Sequence, residues 1–248
     1  MTRLSVNVNK IATLRNTRQL EVPNLVKLAG CAIEAGAEGI TVHPRPDQRH
    51  IRPHDLDDLA ALIAGYPSVE YGIEGNPFQG LVEHCARVRP HQATLVPDAR
   101  EAFTSDHGWN LTALDPSSRR ALAAAIASLK DLGARVSLFV DPVPEMMAVA
   151  KQLGADRVEL YTEPYAAKAA AGDSLAAAAV YARAAEAAHA AGLGVNAGHD
   201  LSLENLGTFL RAVPGVAEVS IGHALIADAL ELGMAEAVRR YVALCHVA

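Results

Sequence analysis

Eight short β-rich runs, separated by alanine-rich helical patterns, predict an α/β fold: a single (β/α)8 TIM barrel with extra helices. The beat is regular. Spread over 248 residues it averages about 31 residues per unit, the length of one strand–helix pair. No Pro/Gly/Ser-rich linker divides the chain, so residues 1–248 are expected to form one barrel domain. An open doubly wound sheet is the main alternative. It loses support because no Gly-x-Gly-x-x-Gly or P-loop pattern follows any run.

The eight runs are LSVNV (4–8), GITVH (39–43), VEYGIE (69–74), QATLVP (92–97), RVSLFVD (135–141), RVELYT (157–162), LGVNAG (193–198) and AEVSIGH (217–223). Most read as apolar throughout, as strands covered on both faces should. Between them, segment 23–36 places Leu25, Leu28, Cys31 and Ala32 on one helix face and stops at Gly36. Segment 115–133 has Asp115 as N-cap, Pro116 at the first helical position and Gly133 at the end. Residues 173–192 form an alanine-rich helix that Gly192 terminates. Ser202 is expected to cap the next helix and His54 to cap an earlier one, and the tail 224–246 to supply one or two more. The longest interval between runs, Pro97 to Asp141, contains a polar stretch (98–111) with Gly108 and the only tryptophan, Trp109. Long loops after barrel strands often act as lids.

Composition narrows the function classes. Half the residues are hydrophobic and 20% are charged, with a net charge of −6. No global basic field for nucleic acid exists, although a local cationic pocket for a small anion is allowed. Cys31, Cys85 and Cys245 are far apart and read as buried thiols, without the paired spacing of a zinc knuckle. The first ten residues lack the apolar run of a secretory leader, and no stretch of about 18 uninterrupted apolar residues occurs. No membrane span is therefore expected, and the expected location is cytoplasmic.

In a (β/α)8 barrel the chemistry sits at the C-terminal ends of the strands. There the sequence places Asn7, Asn9 and Lys10 after the first run, His43 with Arg45 and His50 after the second, and Glu74 after the third. Thr104 follows the fourth and Asp141 ends the fifth; Glu159 and Thr162 lie on the sixth, His199 and Asp200 follow the seventh, and Gly222-His223 closes the eighth. Singly, each has a bland reading as cap, turn or solvated charge. A ring of His and Glu at the ends of apolar runs costs desolvation unless it is used or paired. His84, His189 and His246 fall in helical segments, and His91 and His107 in loops, with no ligand-like pairing. The Gly-His steps 198–199 and 222–223 follow the last two strands, where barrels build phosphate cups from backbone N–H groups. Arg18, Arg45 and His50 add cationic donors, so a phosphorylated small substrate is expected.

Six motifs carry a family resemblance: VNVNKIATLRNTR (6–18), GITVHPRPDQRHI (39–51), IEGNP (73–77), VSLFVD (136–141), VNAGHDL (195–201) and IGHALI (221–226). In this order they resemble pyridoxine 5'-phosphate synthase, over nearly the whole chain. The resemblance implies a (β/α)8 barrel assembled as a homo-octamer. It implies condensation of 1-deoxy-D-xylulose 5-phosphate with 3-amino-2-oxopropyl phosphate to pyridoxine 5'-phosphate, phosphate and water. It also implies no metal and no organic cofactor. It places the catalytic positions at His43, Glu74, His199 and Glu159. It places the amino-ketone phosphate at Asn7, Arg18, Gly222 and His223, with Asp200 binding through its backbone, and the pentulose phosphate at Arg45, His50 and Thr104. The family often has Asp-His where this chain has Asn9-Lys10, two positions that touch the pentulose substrate. Lys10 brings a fixed charge where an imidazole could be neutral.

Two other readings stay open on the residues alone. His43, Glu74, His199 and His223 could together bind Zn²⁺ or Mn²⁺, as in barrel aldolases or isomerases. A catalytically inactive, phosphate-binding barrel is the non-enzymatic alternative, with Asn9-Lys10 as its first sign.

Overall fold

The computed structural model describes residues 1–247, in which all eight runs pair in parallel and close in sequence order. The elements are β1 (Arg3–Asn7), α1 (Asn9–Asn16), α2 (Leu25–Glu34), β2 (Gly39–Val42), α3 (Pro53–Ile63), β3 (Glu70–Gly75), α4 (Val82–Val88), β4 (Gln92–Leu95), α5 (Pro116–Asp131) and β5 (Arg135–Val140). They continue with α6 (Glu145–Gln152), β6 (Arg157–Leu160), α7 (Glu163–Ala170), α8 (Ser174–Ala190), β7 (Gly194–His199), α9 (Leu206–Ala212), β8 (Val216–Ile221), α10 (His223–Leu232) and α11 (Met234–Val247). The extra helices are accounted for by three doubled connections, after β1, β6 and β8. The barrel closes where β8 pairs with β1, with Ser5 opposite Ser220.

The strands are not apolar throughout, as the sequence reading had it. Leu4, Val6, Ile40, Val42, Ile73, Leu95, Leu138, Leu160, Val219 and Ile221 belong to the large apolar cluster shared with the helices. The alternate positions are polar or small and meet across the lumen: Gln92 Nε2 donates to Glu218 Oε1, Thr94 to Glu159, and Ser220 to Glu74. Non-adjacent strands can touch this way only through the barrel interior. Barrel interiors are usually packed with branched apolar residues, so a polar lumen is a departure that period-2 alternation explains. The outer face buries against helices, and the inner face carries the site.

Local signals behaved as chemistry dictates, with three corrections. Asp115 caps α5 by accepting from the N–H groups of Ser117 and Ser118 at 2.7 and 3.1 Å. Ser202 does not cap α9. Its N–H donates to Asn205 Oδ1 at 2.8 Å while its carbonyl accepts from Asn205 and Leu206, so a turn forms first and the helix starts later. His54 does not cap α3, because Arg52 holds the N-cap position and Asp55 accepts from its N–H at 2.7 Å. Cys85 and Cys245 are buried, but Cys31 is only half-buried.

One buried ion pair links fold to site. Arg15 on α1 is bidentate to Asp55 on α3, at 2.5 and 2.9 Å, and is 1% exposed. Its Nη2 also donates to the His50 carbonyl at 3.2 Å, and Asn16 Nδ2 donates to the same oxygen at 2.8 Å. The loop that carries His50 is thereby pinned from beneath.

Candidate active site

The chain of contacts at the mouth starts on β1. Asn7 is buried; its Nδ2 donates to Glu74 Oε2 at 3.3 Å, and its Oδ1 accepts from the Asn9 N–H at 3.1 Å. Asn9 Oδ1 in turn accepts from the His43 N–H at 2.9 Å. Asn9 acts here as an acceptor, a contact an aspartate could equally make, so the change from Asp to Asn leaves this tie intact. Lys10 is exposed, and its charge disfavours protonation of His50 and His199.

Glu74 and His43 form the buried centre. His43 Nδ1 lies 3.7 Å from Glu74 Oε2, and Ser220 Oγ donates to Glu74 Oε1 at 3.3 Å. Burial, reinforced by the charges of Asp98 and Glu218, raises the Glu74 carboxyl to about 8 against the pull of Ser220 and Asn7. Burial also pushes His43 well below its ordinary value, helped by Arg45 and His50. Glu159 is buried below them, its carboxyl raised by burial and then by Glu74 and Glu218. At neutral pH the Glu74 carboxyl is therefore mostly protonated and His43 is neutral.

His199 sits at the end of β7 with φ of 67°, in the left-handed region. Gly198 permits this corner, because a side chain there would overlap the Ser220 backbone. The Thr162 hydroxyl donates to the Gly198 carbonyl. His199 Nε2 is 3.4 Å from Thr104 Oγ1, so the loop after β4 reaches across the mouth. Burial lowers His199, partly offset by Asp200 and Asp98. Asp200 is half-buried, and its Oδ2 has no hydrogen-bond partner among the described residues.

Arg45 and His50 line the other side. His50 is driven down to about 4 by burial and by Arg45, packs edge-on against His43 at 6.5 Å, and accepts the Ile51 N–H on Nδ1. Arg45, expected as a cationic donor at the mouth, is buried there; it pairs with Asp98 and donates to the Ala102 carbonyl at 2.8 Å. Gly222 lies so close to Asn7 that a Cβ would come within 3.2 Å of the Asn7 Cβ. His223 is exposed at the first turn of α10, beside the positive end of that helix. Arg18 is exposed beyond α1 and makes no side-chain hydrogen bond or ion pair among the described residues.

The structure thus brings Asn7, Asn9, His43, Glu74, Arg45 and His50 into one contact set, and Thr104 with His199 into a second. Lys10, Arg18 and His223 stand at the rim, unbonded to either. Sequence reasoning missed Asp98 and Ser220. The available signal for Asp98 was its place directly after the fourth run; Ser220 carried none. Among the described residues no three His, Cys, Asp or Glu side chains are arranged to hold a metal ion, so His43, Glu74, His199 and His223 do not converge as ligands.

A polar-lumened (β/α)8 barrel with a buried acid–base centre and a cationic rim defines the class: an enzyme for small anionic substrates. The family model described as "Pyridoxal phosphate biosynthesis protein PdxJ" matches residues 4–247, and the chain belongs to this family. It is 53% identical over 248 residues to the pyridoxine 5'-phosphate synthase of Albidiferax ferrireducens, covering 97% of this chain and 96% of the relative. It is 55% identical to that of Xanthomonas axonopodis pv. citri, covering 97% and 95%. Among solved structures it is similar to thiamine phosphate pyrophosphorylase from Pyrococcus furiosus, with a TM-score of 0.61 at 14% identity over 98% of this chain and 95% of that one. It is similar also to phosphoribosyl anthranilate isomerase from Thermus thermophilus, with a TM-score of 0.57 at 16% identity over 99% and 98%. These two likenesses show the barrel alone.

Proposed function

We propose that the protein is a pyridoxine 5'-phosphate synthase that condenses 1-deoxy-D-xylulose 5-phosphate with 3-amino-2-oxopropyl phosphate, releasing pyridoxine 5'-phosphate, phosphate and water. The observation that carries this reading is the buried His43–Glu74 pair, 3.7 Å apart, beside buried Arg45 and His50 and beneath a rim of Lys10, Arg18 and His223. The amine must lose a proton, attack a ketone and shed water; phosphate must leave and a ring must close. Each step moves protons, so several titratable groups must surround one pocket.

In this reading the two phosphates are gripped at opposite sides of the mouth, by Arg45, His50 and Thr104 and by Asn7, Arg18, Gly222 and His223. Holding both substrates turns a bimolecular condensation into a positioned one. His43, neutral in the buried site, accepts a proton directly. Glu74 begins protonated, and the substrate ammonium arriving beside it favours the carboxylate, which then serves as a base. His199 assists departure of water, and Glu159 stabilises cationic intermediates from below. Asp200 turns its backbone toward the amino-ketone, and Asn9 and Lys10 contact the pentulose.

The chain acts as one barrel domain without metal or organic cofactor, in the cytoplasm, and assembles as a homo-octamer. The exposed apolar side chains Leu14, Leu20 and Val22 support a subunit interface, and no helix among the described residues is long and apolar enough to cross a membrane. The deciding experiment mixes chelator-treated protein with both substrates. Pyridoxine 5'-phosphate and phosphate should appear in equal amounts, and chelator should not matter. Binding of each substrate without product would overturn the reading in favour of a non-catalytic barrel, and activity restored only by Zn²⁺ or Mn²⁺ would favour the metal-dependent one.

A further inference from the structure

Asp98 is the most connected side chain at the mouth to which sequence reasoning gave no role. Its carboxylate is 4% exposed and holds its neighbours through one oxygen, since Oδ1 has no hydrogen-bond partner among the described residues. Oδ2 accepts from Arg45 Nη2 and, at 2.8 Å, from Ser105 Oγ, and it lies 3.9 Å from His43 Nε2. The Asp98 backbone is fixed as well: its carbonyl accepts from Asn76 Nδ2 at 3.0 Å and Gln79 Nε2 at 3.1 Å. The carboxylate therefore stands on a platform built by the end of β3 and reaches toward the end of β2.

The contacts on the loop are arranged as a bracket. Arg45, paired with Asp98, donates to the Ala102 carbonyl at 2.8 Å, and Arg49 donates to the carbonyls of Ala102 and Phe103 at 3.1 and 2.9 Å. Ser105, two residues beyond Phe103, returns to Asp98. Thr104 is held between these two anchors, and it is the loop residue that reaches His199. Phe103 itself is 89% exposed and adds no packing of its own, so polar ties hold this segment.

We propose that Asp98 is a positioning residue: it joins Arg45 to the 102–105 segment and so fixes Thr104 against His199 and Arg45 in its place at the mouth. The proposal rests on the functional reading for its consequence, because Arg45 and Thr104 are the residues that grip the pentulose phosphate there. Loss of the bracket loosens one phosphate grip and leaves the other untouched.

The test uses full-length Asp98→Asn, which keeps the shape but removes the charge, and Ser105→Ala, which cuts only the loop tie. Amide hydrogen exchange over residues 99–107, with no substrate present, reads the loop directly. Exchange should speed up about tenfold or more when a hydrogen bond to a carboxylate is removed. In steady state, KM for 1-deoxy-D-xylulose 5-phosphate should rise about tenfold, while KM for 3-amino-2-oxopropyl phosphate moves less than about twofold. Unchanged exchange in both variants overturns the proposal. So does an equal rise in both KM values with a lower Tm, which marks a merely structural carboxylate. Where Asp98→Asn does not fold, Ser105→Ala decides alone. Absence of product from the parent protein would count against the functional reading, while the exchange comparison would still decide the loop.

Discussion

His43 Nδ1 and Glu74 Oε2 face each other at 3.7 Å, both buried, with opposite displacements of their proton affinities. Burial disfavours the charged form of each, so imidazole and carboxylic acid stand side by side, neutral. The distance is too long for a direct hydrogen bond, so neither group spends its proton on the other.

Replacing Glu74 with Gln keeps the size of the side chain and an acceptor for Ser220. Both substrates should still bind, while turnover falls by about 10²–10⁴, the usual worth of a positioned acid–base group. Single-turnover product formation checks this. Near-parental turnover would remove Glu74 from proton transfer.

The same substitution should change stability at alkaline pH. Glu74 is raised to about 8 in the folded protein, so between its ordinary value and 8 the native state holds a proton that the unfolded chain has lost. Stability should fall as pH rises through that window, by roughly 1 kcal/mol per pH unit from this group. Urea midpoints at pH 6 and 8.5 should therefore lie closer together in Glu74→Gln than in the parent.

The histidines act in the opposite sense to Glu74. His50 is lowered to about 4, and His43 and His199 are lowered too. Between 6.5 and 4 the unfolded chain protonates His50 while the native site does not, so the stability that His50 contributes above 6.5 is lost as pH falls. His50→Asn should lose less stability between pH 7 and pH 5 than the parent. An identical loss would show that His50 titrates normally in the folded state.

Arg15→Met leaves Asp55 buried and unpaired beneath the His50 loop. Removing one partner of such a pair costs about 3–5 kcal/mol, and Arg15→Lys should recover only part of that, because a lysine cannot make the bidentate contact. Urea denaturation reads both. A loss below about 1 kcal/mol in Arg15→Met would mean that the pair contributes little.

Gly222→Ala places a methyl group 3.2 Å from the Asn7 Cβ. Asn7 must shift, and with it the donor that holds Glu74. The expected result is a loss of kcat/KM of about tenfold or more with the fold retained, as small displacements of a catalytic group commonly produce. Unaltered kcat/KM with normal folding would show that the mouth absorbs the methyl group.

The barrel was legible because its signals are local. Apolar runs on a regular beat, Asp115-Pro116 at a helix start and Gly192 after a helix end each act within a few residues. The ring of strand ends was legible by topology, since parallel strands in a closed barrel bring their C-termini to one face, whatever lies between. His43, Glu74, Glu159 and His199 could be placed at that face from order alone. What Arg45 does there could not, because its partner Asp98 lies 53 residues away and the pair forms only when β2 and β4 flank β3. The polar lumen was hidden for the same reason: Gln92 meets Glu218 across 126 residues of chain. Proton affinities were decided last of all. Burial and neighbouring charge set them, and both exist only once distant strands have closed around the same few side chains.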